Sequence, residues 1–335
     1  MKKLLALVAL AASLSVWGEP YRVVFPTEAS MAGQKAYLIN FDNEAVIDST
    51  TVGPEAAVFN GDIDEPVLAF VRAGEGKSPD FILEGGTMSF SSGNGAPFGT
   101  MLNDRLKALG DSLRSLQQNF RRAAAEAERQ DIYNSYNALL ANTLKENTDN
   151  PLGYYIWLQT FPQDASLAQM QAEVAAHPEF SAYTRHNRYL ETARVREATQ
   201  PGKPFVDFSI ELAGLTQKLS DHVGRGHYTL VDFWASWCGP CIRELATLKD
   251  VYHRYKDRGL EVLGVAVWDE PADTEAAIRS HNIPWECIYG TGQIATDAYG
   301  ITGIPCIILF GPDGTIIARG LRGEELKAKL AEIYR

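Results

Sequence analysis

Trp237-Cys238-Gly239-Pro240-Cys241 places two thiols three residues apart. Such a pair can close a small ring. At a helix start, the unsatisfied backbone N–H groups and the positive end of the helix dipole favour a thiolate on the first cysteine. The chemistry this suits is reversible disulfide exchange. A zinc half-site and a plain structural disulfide compete with it. Zinc would want a second Cys/His pair at matching spacing, and none of the six histidines forms one.

The elements around the pair fit the redox reading. Residues 228–234 alternate little and read as a buried strand, and 241–255 carry Ile242, Leu245, Leu248, Val251 and Tyr252 on one helical face. Residues 261–268 form a second apolar strand of the parallel type. A helix over 272–282, strands at 306–310 and 315–318 around the turn Gly311-Pro312-Asp313-Gly314, and a helix over 324–334 follow. Cys-x-x-Cys beside a strand–helix–strand unit is a redox signature.

Upstream, residues 21–92 hold many short strand-like runs separated by turn signals such as Asn60-Gly61 and Glu84-Gly85-Gly86. They predict a small antiparallel sandwich or barrel. Leu102, Leu106, Leu109, Leu113, Leu116 and Phe120 then recur at helical spacing, and the charged, alanine-rich stretch 121–131 continues the helix. Asn150-Pro151 and Ser166 mark further helix starts, and 183–198 one more. Residues 199–204, Thr-Gln-Pro-Gly-Lys-Pro, read as a linker.

At 335 residues and 45% hydrophobic content, the chain can build about two domains with real cores. Its formal charge of −11 gives it no footprint for nucleic acid. The basic start Met1-Lys2-Lys3, the apolar run 4–16 and the small or modest residues Val16 and Gly18 at the −3 and −1 positions of a cleavage site read as a signal peptide over 1–18. That address implies a periplasmic or secreted, oxidising location, and no later segment reaches transmembrane length.

From about 204 onward the chain resembles the thioredoxin superfamily, and more closely the TlpA/ResA-like thiol:disulfide oxidoreductases, also grouped as AhpC/TSA-type. Residues 204–209 look like the family's lead-in strand, 230–241 its active-site strand and helix start, and 299–305 the loop ending in its cis-proline. The segments around 47–52, 64–66, 83–86 and 99–100 resemble a β-rich domain of unknown function that precedes such domains in Bacteroides-group bacteria. The implied organisation is a signal peptide (1–18), a β-rich domain (19–98), a helical segment (99–198) and an α/β thioredoxin fold (199–335).

The resemblance implies roles. Cys238 is expected to be exposed and nucleophilic, with Cys241 resolving the mixed disulfide. Asp232, six residues earlier on an apolar strand, should be desolvated and relay a proton to Cys241; a tolerated core acid is the competing reading. Many TlpA-like proteins have asparagine there. Glu244 is expected to tune the thiols, or to be a solvated helix charge. Trp237, Gly239, Pro240, Ile304 and Pro305 should face the substrate, a cis Pro305 presenting the backbone of Ile304 as an extended edge. Trp234 and Trp237 would flank the site, each readable as packing or as recognition. Cys306 departs from the threonine usual after the cis-proline. Pairing Cys238 with Cys241 leaves Cys287 with Cys306, so a second disulfide and two buried thiols are both open.

The sequence thus predicts a periplasmic thiol:disulfide oxidoreductase, acting as a reductase on protein substrates, with no cofactor beyond its own disulfide. Electrons would come by thiol exchange, for instance from a DsbD-type membrane donor. A thiol peroxidase would need a Pro-x-x-x-Thr-x-x-Cys setting, which is absent. That peroxidase is the rival of the same class, and the rival of a different class is a partner-binding module that its redox site regulates.

Overall fold

A computed structural model describes residues 18–92 and 95–335. The signal peptide read at 1–18 lies, apart from Gly18, outside the described residues. The elements form two compact units: one runs to Phe161 and includes Glu179–Arg185, the other comprises Pro162–Pro178 and His186–Arg335.

The first unit begins with β1 (Glu19–Pro26), β2 (Lys35–Asn40), β3 (Val46–Thr51), β4 (Ala56–Ile63), β5 (Val67–Ala73), β6 (Gly76–Lys77), β7 (Phe81–Leu83), β8 (Gly86–Phe90) and β9 (Pro97–Phe98). They make two sheets, β4-β1-β8-β9 and β3-β2-β5-β6, with β7 also pairing to β5. Alternate residues such as Val23, Leu38, Phe59, Val71 and Phe81 form one core between the sheets. The expected antiparallel order holds except at β1 and β8, which pair in parallel.

Helices α1 (Met101–Arg122), α2 (Glu126–Glu146) and α3 (Pro151–Thr160) follow. Leu102 and Leu109 of α1, with Leu152 and Ile156 of α3, pack on Leu68 and Ile82. The expected continuous helix through 121–131 is broken at Ala123 to Ala125, where the chain turns so that α1 and α2 share Leu106, Leu113, Leu139 and Leu140 in that cluster. No proline or glycine marks the break. Asn150 caps α3 by accepting from the Leu152 N–H at 3.0 Å.

In the second unit, Ser166 and Gln169 form a reciprocal capping box on α4 (Leu167–Ala176). Next come α5 (Thr184–Ala198), which belongs to this unit from His186 onward, the hairpin β10 (Ser209–Leu212) and β11 (Leu215–Lys218), β12 (Tyr228–Trp234), α6 (Gly239–Tyr255), β13 (Leu260–Ala266), α7 (Pro271–Ser280), β14 (Glu286–Ile288), α8 (Ile294–Tyr299), β15 (Cys306–Phe310), β16 (Ile316–Arg319) and α9 (Gly323–Ile333). The sheet order is β14-β13-β12-β15-β16. β12, β13 and β14 are parallel, while β15 is antiparallel to both its neighbours, β12 and β16. Leu245, Leu248, Leu326 and Leu330 of α6 and α9 cover one face. Ile210, Ala295 and Tyr299 cover the other. This is the thioredoxin fold expected from the sequence.

Two local expectations change. Of the lead-in strand read at 204–209, Pro204 makes an isolated bridge to Thr315 and Ser209 begins β10, while the residues between are not in a strand. The segment 199–204 is docked rather than free: Thr199 is buried, and Gly202 donates its N–H to the Ile316 carbonyl at 2.7 Å.

Candidate active site

Cys238 and Cys241 are joined by a disulfide across the first turn of α6, with Cα atoms 5.2 Å apart. Cys238 is the N-cap, and its Sγ accepts the Cys241 N–H at 3.2 Å. Pro240 sits in the first turn, where its missing N–H leaves no gap in the helix. The helix end therefore presents its free N–H groups to the first sulfur, as the spacing implied.

Cys238 was expected to be exposed. In the disulfide form it is 4% exposed, and Cys241 is fully buried, because the Cys238 sulfur turns inward onto the helix end. Trp237 is the open residue, 62% exposed, with its indole N–H donating to the Trp268 carbonyl at 2.9 Å. Trp234 is core packing. Asp269, which the sequence reading passed over, fixes the approach to the site: its carboxylate accepts from Ser236 N and Oγ and from Thr274 Oγ1, each at 2.8 Å. Its position just before Glu270-Pro271, a helix start, was the available signal.

Asp232 lies on the α6 side of β12, in the alternation set by Leu230 and Trp234. It is 1% exposed, and its Oδ1 finds no hydrogen-bond partner among the described residues. Burial, reinforced by the negative charge of Glu244 and opposed by Arg322, pushes its carboxyl up to about 7.

Glu244, one turn beyond Cys241, is not a solvated charge: it accepts the Gly323 N–H at 2.8 Å and so caps the start of α9. Beside it, the Arg322 guanidinium donates to the Pro305 carbonyl at 2.5 Å. The Ile304–Pro305 peptide is cis, and Ile304 is partly exposed between open Gly303 and buried Pro305.

Cys287 and Cys306 are both free. Cys306 stands opposite Phe233 and packs in the core on the β10 and α8 side, whereas Cys287 packs against the α6 side. The sheet separates them, so the second disulfide does not form. Burial pushes the Cys287 thiol up to about 12 and raises that of Cys306. Among the described residues, no group of three or more His, Cys, Asp or Glu side chains could hold a metal, and no helix is long and apolar enough to cross a membrane.

Comparison with known proteins agrees with this geometry. Residues 201–319 match the model of the AhpC/TSA family, and residues 24–106 match a domain of unknown function, DUF4369. The thiol-disulfide oxidoreductase ResA of Bacillus thuringiensis is 26% identical over 137 residues, covering 41% of this chain and 78% of that protein. A solved thiol-disulfide oxidoreductase from Bacteroides fragilis is 32% identical, over 39% of this chain and 99% of its own, with a TM-score of 0.36. The chain belongs to the thiol-disulfide oxidoreductases. The thioredoxin domain of another such oxidoreductase, from Bacteroides vulgatus, is 30% identical over 40% of this chain and 98% of its own (TM-score 0.36). In all three, the shared part is about two-fifths of this oxidoreductase; the sheets and helices before it lie largely outside that part.

Proposed function

We propose that this thiol-disulfide oxidoreductase is an extracytoplasmic reductase of protein disulfides, and that Cys238, Cys241 and Asp232 carry the reaction. In the dithiol form, the Cys238 thiolate attacks a substrate disulfide, forming a Cys238–substrate bond and releasing one substrate thiolate. Cys241 then passes its proton to the Asp232 carboxylate and attacks the Cys238 sulfur. The second substrate thiol leaves, the Cys238–Cys241 disulfide closes, and two electrons have moved to the substrate. A dithiol donor, for which a DsbD-type membrane protein is the fitting class, reverses the last bond. No further cofactor enters these steps.

The observation that carries this reading is Asp232, a buried acid whose Oδ1 has no hydrogen-bond partner among the described residues and whose carboxyl is pushed up to about 7. Near neutral pH such a group both takes and returns a proton. Trp237, Gly239 and Pro240 flank the sulfurs on the substrate side, and the Ile304 backbone before Pro305 supplies an edge for an extended substrate strand. The apolar start of the sequence supports export, and the Gly-Pro dipeptide supports a reducing couple.

The test is the equilibrium potential of Cys238–Cys241 against glutathione. Thioredoxin lies near about −270 mV and the oxidant DsbA near about −120 mV. A value close to thioredoxin, together with a reduced pair in cells, is expected. A potential above roughly −180 mV contradicts the reductase direction.

A further inference from the structure

Residues 300–305 connect α8 to β15 and carry Ile304-Pro305. Their base is held by α5, which precedes the stretch matched by the AhpC/TSA family. Arg196 on α5 donates from Nε to the Gly300 carbonyl at 3.1 Å and from Nη2 to Thr302 Oγ1 at 3.4 Å. The same half-buried guanidinium donates to the carbonyls of Ala165 at 3.1 Å and Gln163 at 3.3 Å. One planar fork therefore ties the connection to α5 and to the segment before α4.

The backbones themselves meet here. Gly300 has φ of +57°, and a Cβ there would come 2.5 Å from the Thr192 carbonyl oxygen and 2.7 Å from the Arg196 nitrogen. Only glycine permits that approach. Just past α5, Thr199 accepts from Arg319 at 2.8 Å, and Arg319 also donates to the Tyr299 carbonyl at 2.7 Å. Two arginines thus clamp the two sides of one turn, using neutral acceptors whose effect is to fix shape.

We propose that Arg196 is a positioning residue for disulfide exchange: it fixes residues 300–305 so that the Ile304 edge is preformed for a substrate strand. The inference rests on the reading of that edge given under Proposed function. A protein substrate pairs with the edge before its disulfide reaches Cys238, and a preformed edge lowers the ordering cost of that pairing. A small disulfide reaches Cys238 without such pairing. Helix α5, ahead of the matched stretch, thereby becomes part of the protein-substrate site.

The experiment compares full-length wild type with Arg196→Met, Arg196→Lys and Thr302→Val in the reduction of insulin and of hydroxyethyl disulfide, with dithiothreitol as donor. Arg196→Met should raise KM for insulin roughly tenfold, the factor attached to one hydrogen bond from a charged donor. Arg196→Lys should fall between it and wild type. The kcat for insulin, the rate with hydroxyethyl disulfide and the redox potential should stay within about twofold, the scale of an interaction worth well under 1 kcal/mol. If Arg196→Met does not fold, Thr302→Val, which removes one hydroxyl, reads the same split. Unchanged KM for insulin, or equal losses on both substrates, overturns the assignment of Arg196. Wild type that reduces the small disulfide but not insulin overturns the proposed function, and this inference with it.

Discussion

Asp232 and Gly264 face each other across the β12–β13 pairing, and Cys287 stands opposite Gly264 on β14. The three positions form one row across the sheet on the α6 side. Gly264 has no side chain because Cys287 Sγ fills its place: a Cβ there would lie 2.6 Å from that sulfur and 3.1 Å from the Trp234 indole nitrogen. The buried acid consequently has a thiol, not a cation, at the far end of its row. The Cys287 thiol is pushed up first by its own burial and then by the charge of Asp232.

Asp232→Asn should stabilise the protein while slowing its chemistry. The folded carboxyl at about 7 lies above its ordinary 3.8, so folding favours the protonated acid. That contribution is complete below about pH 4 and is lost as pH rises to about 7. The rise from 3.8 to about 7 corresponds to about 4 kcal/mol of destabilisation at alkaline pH. Denaturant unfolding should show the asparagine variant more stable above pH 7 and equal to wild type below about pH 4. Stopped-flow measurement should show slower resolution of mixed disulfides, with the Cys238 alkylation rate little changed. Equal slowing of both steps removes Asp232 from the relay.

Glu244 has two separable effects. Its carboxylate caps α9 through the Gly323 N–H, and its charge raises Asp232. Glu244→Gln keeps the acceptor and removes the charge, so the acid limb of the resolution rate should move to lower pH with stability nearly unchanged. Glu244→Ala should add a loss of about 1 kcal/mol, the usual worth of a helix cap. An unmoved acid limb in both variants would show that Glu244 does not act on Asp232.

A pH-dependent brace sits on Glu261, whose two oxygens meet His222 Nδ1 and His227 Nε2, each at 2.5 Å. Burial alone would raise the Glu261 carboxyl, but the hydrogen bonds to both histidines outweigh it and hold it low. The hydrogen bond to Glu261 raises His222, against its own burial. The histidine's contribution is present below its ordinary 6.5 and fades as pH rises through its folded value. The glutamate's is present above its ordinary 4.5 and fades as pH falls through its folded value. The stability difference between wild type and Glu261→Gln should therefore peak between about pH 4.5 and 6.5. A difference that is flat with pH in thermal melts would contradict the pairing.

Much of the site is local in sequence. Cys238 and Cys241 lie within one helical turn, and the strand before them shows Asp232 as the single acid in an apolar run. What the sequence hides depends on register and tertiary docking. Whether Cys287 and Cys306 share a face follows from which residues of β12, β13, β14 and β15 are paired, and no local pattern encodes that. The turn at Ala123 to Ala125 carries no breaker, since all three residues favour helix and the antiparallel packing of α1 on α2 decides. Thr199 sits in a stretch with linker composition, yet the partners that bury it, Tyr299 and Arg319, lie about a hundred residues away. Arg196 looks like any surface charge on a polar helix until residues 300–305 fold against it.

The central assignment is tested most directly by trapping. With Cys241→Ser, a substrate attacked by Cys238 has no internal exit, so covalent adducts should accumulate. Cys238→Ser should trap far less, because Cys241 is fully buried in the first turn of α6. Adding Cys306→Thr should change nothing, since that thiol lies on the opposite side of the sheet. Non-reducing gels of extracts from cells expressing each variant should show thiol-sensitive adducts in Cys241→Ser and not in Cys238→Ser. Adducts in Cys238→Ser alone would reverse the two roles, and adducts in neither would contradict exchange with protein disulfides.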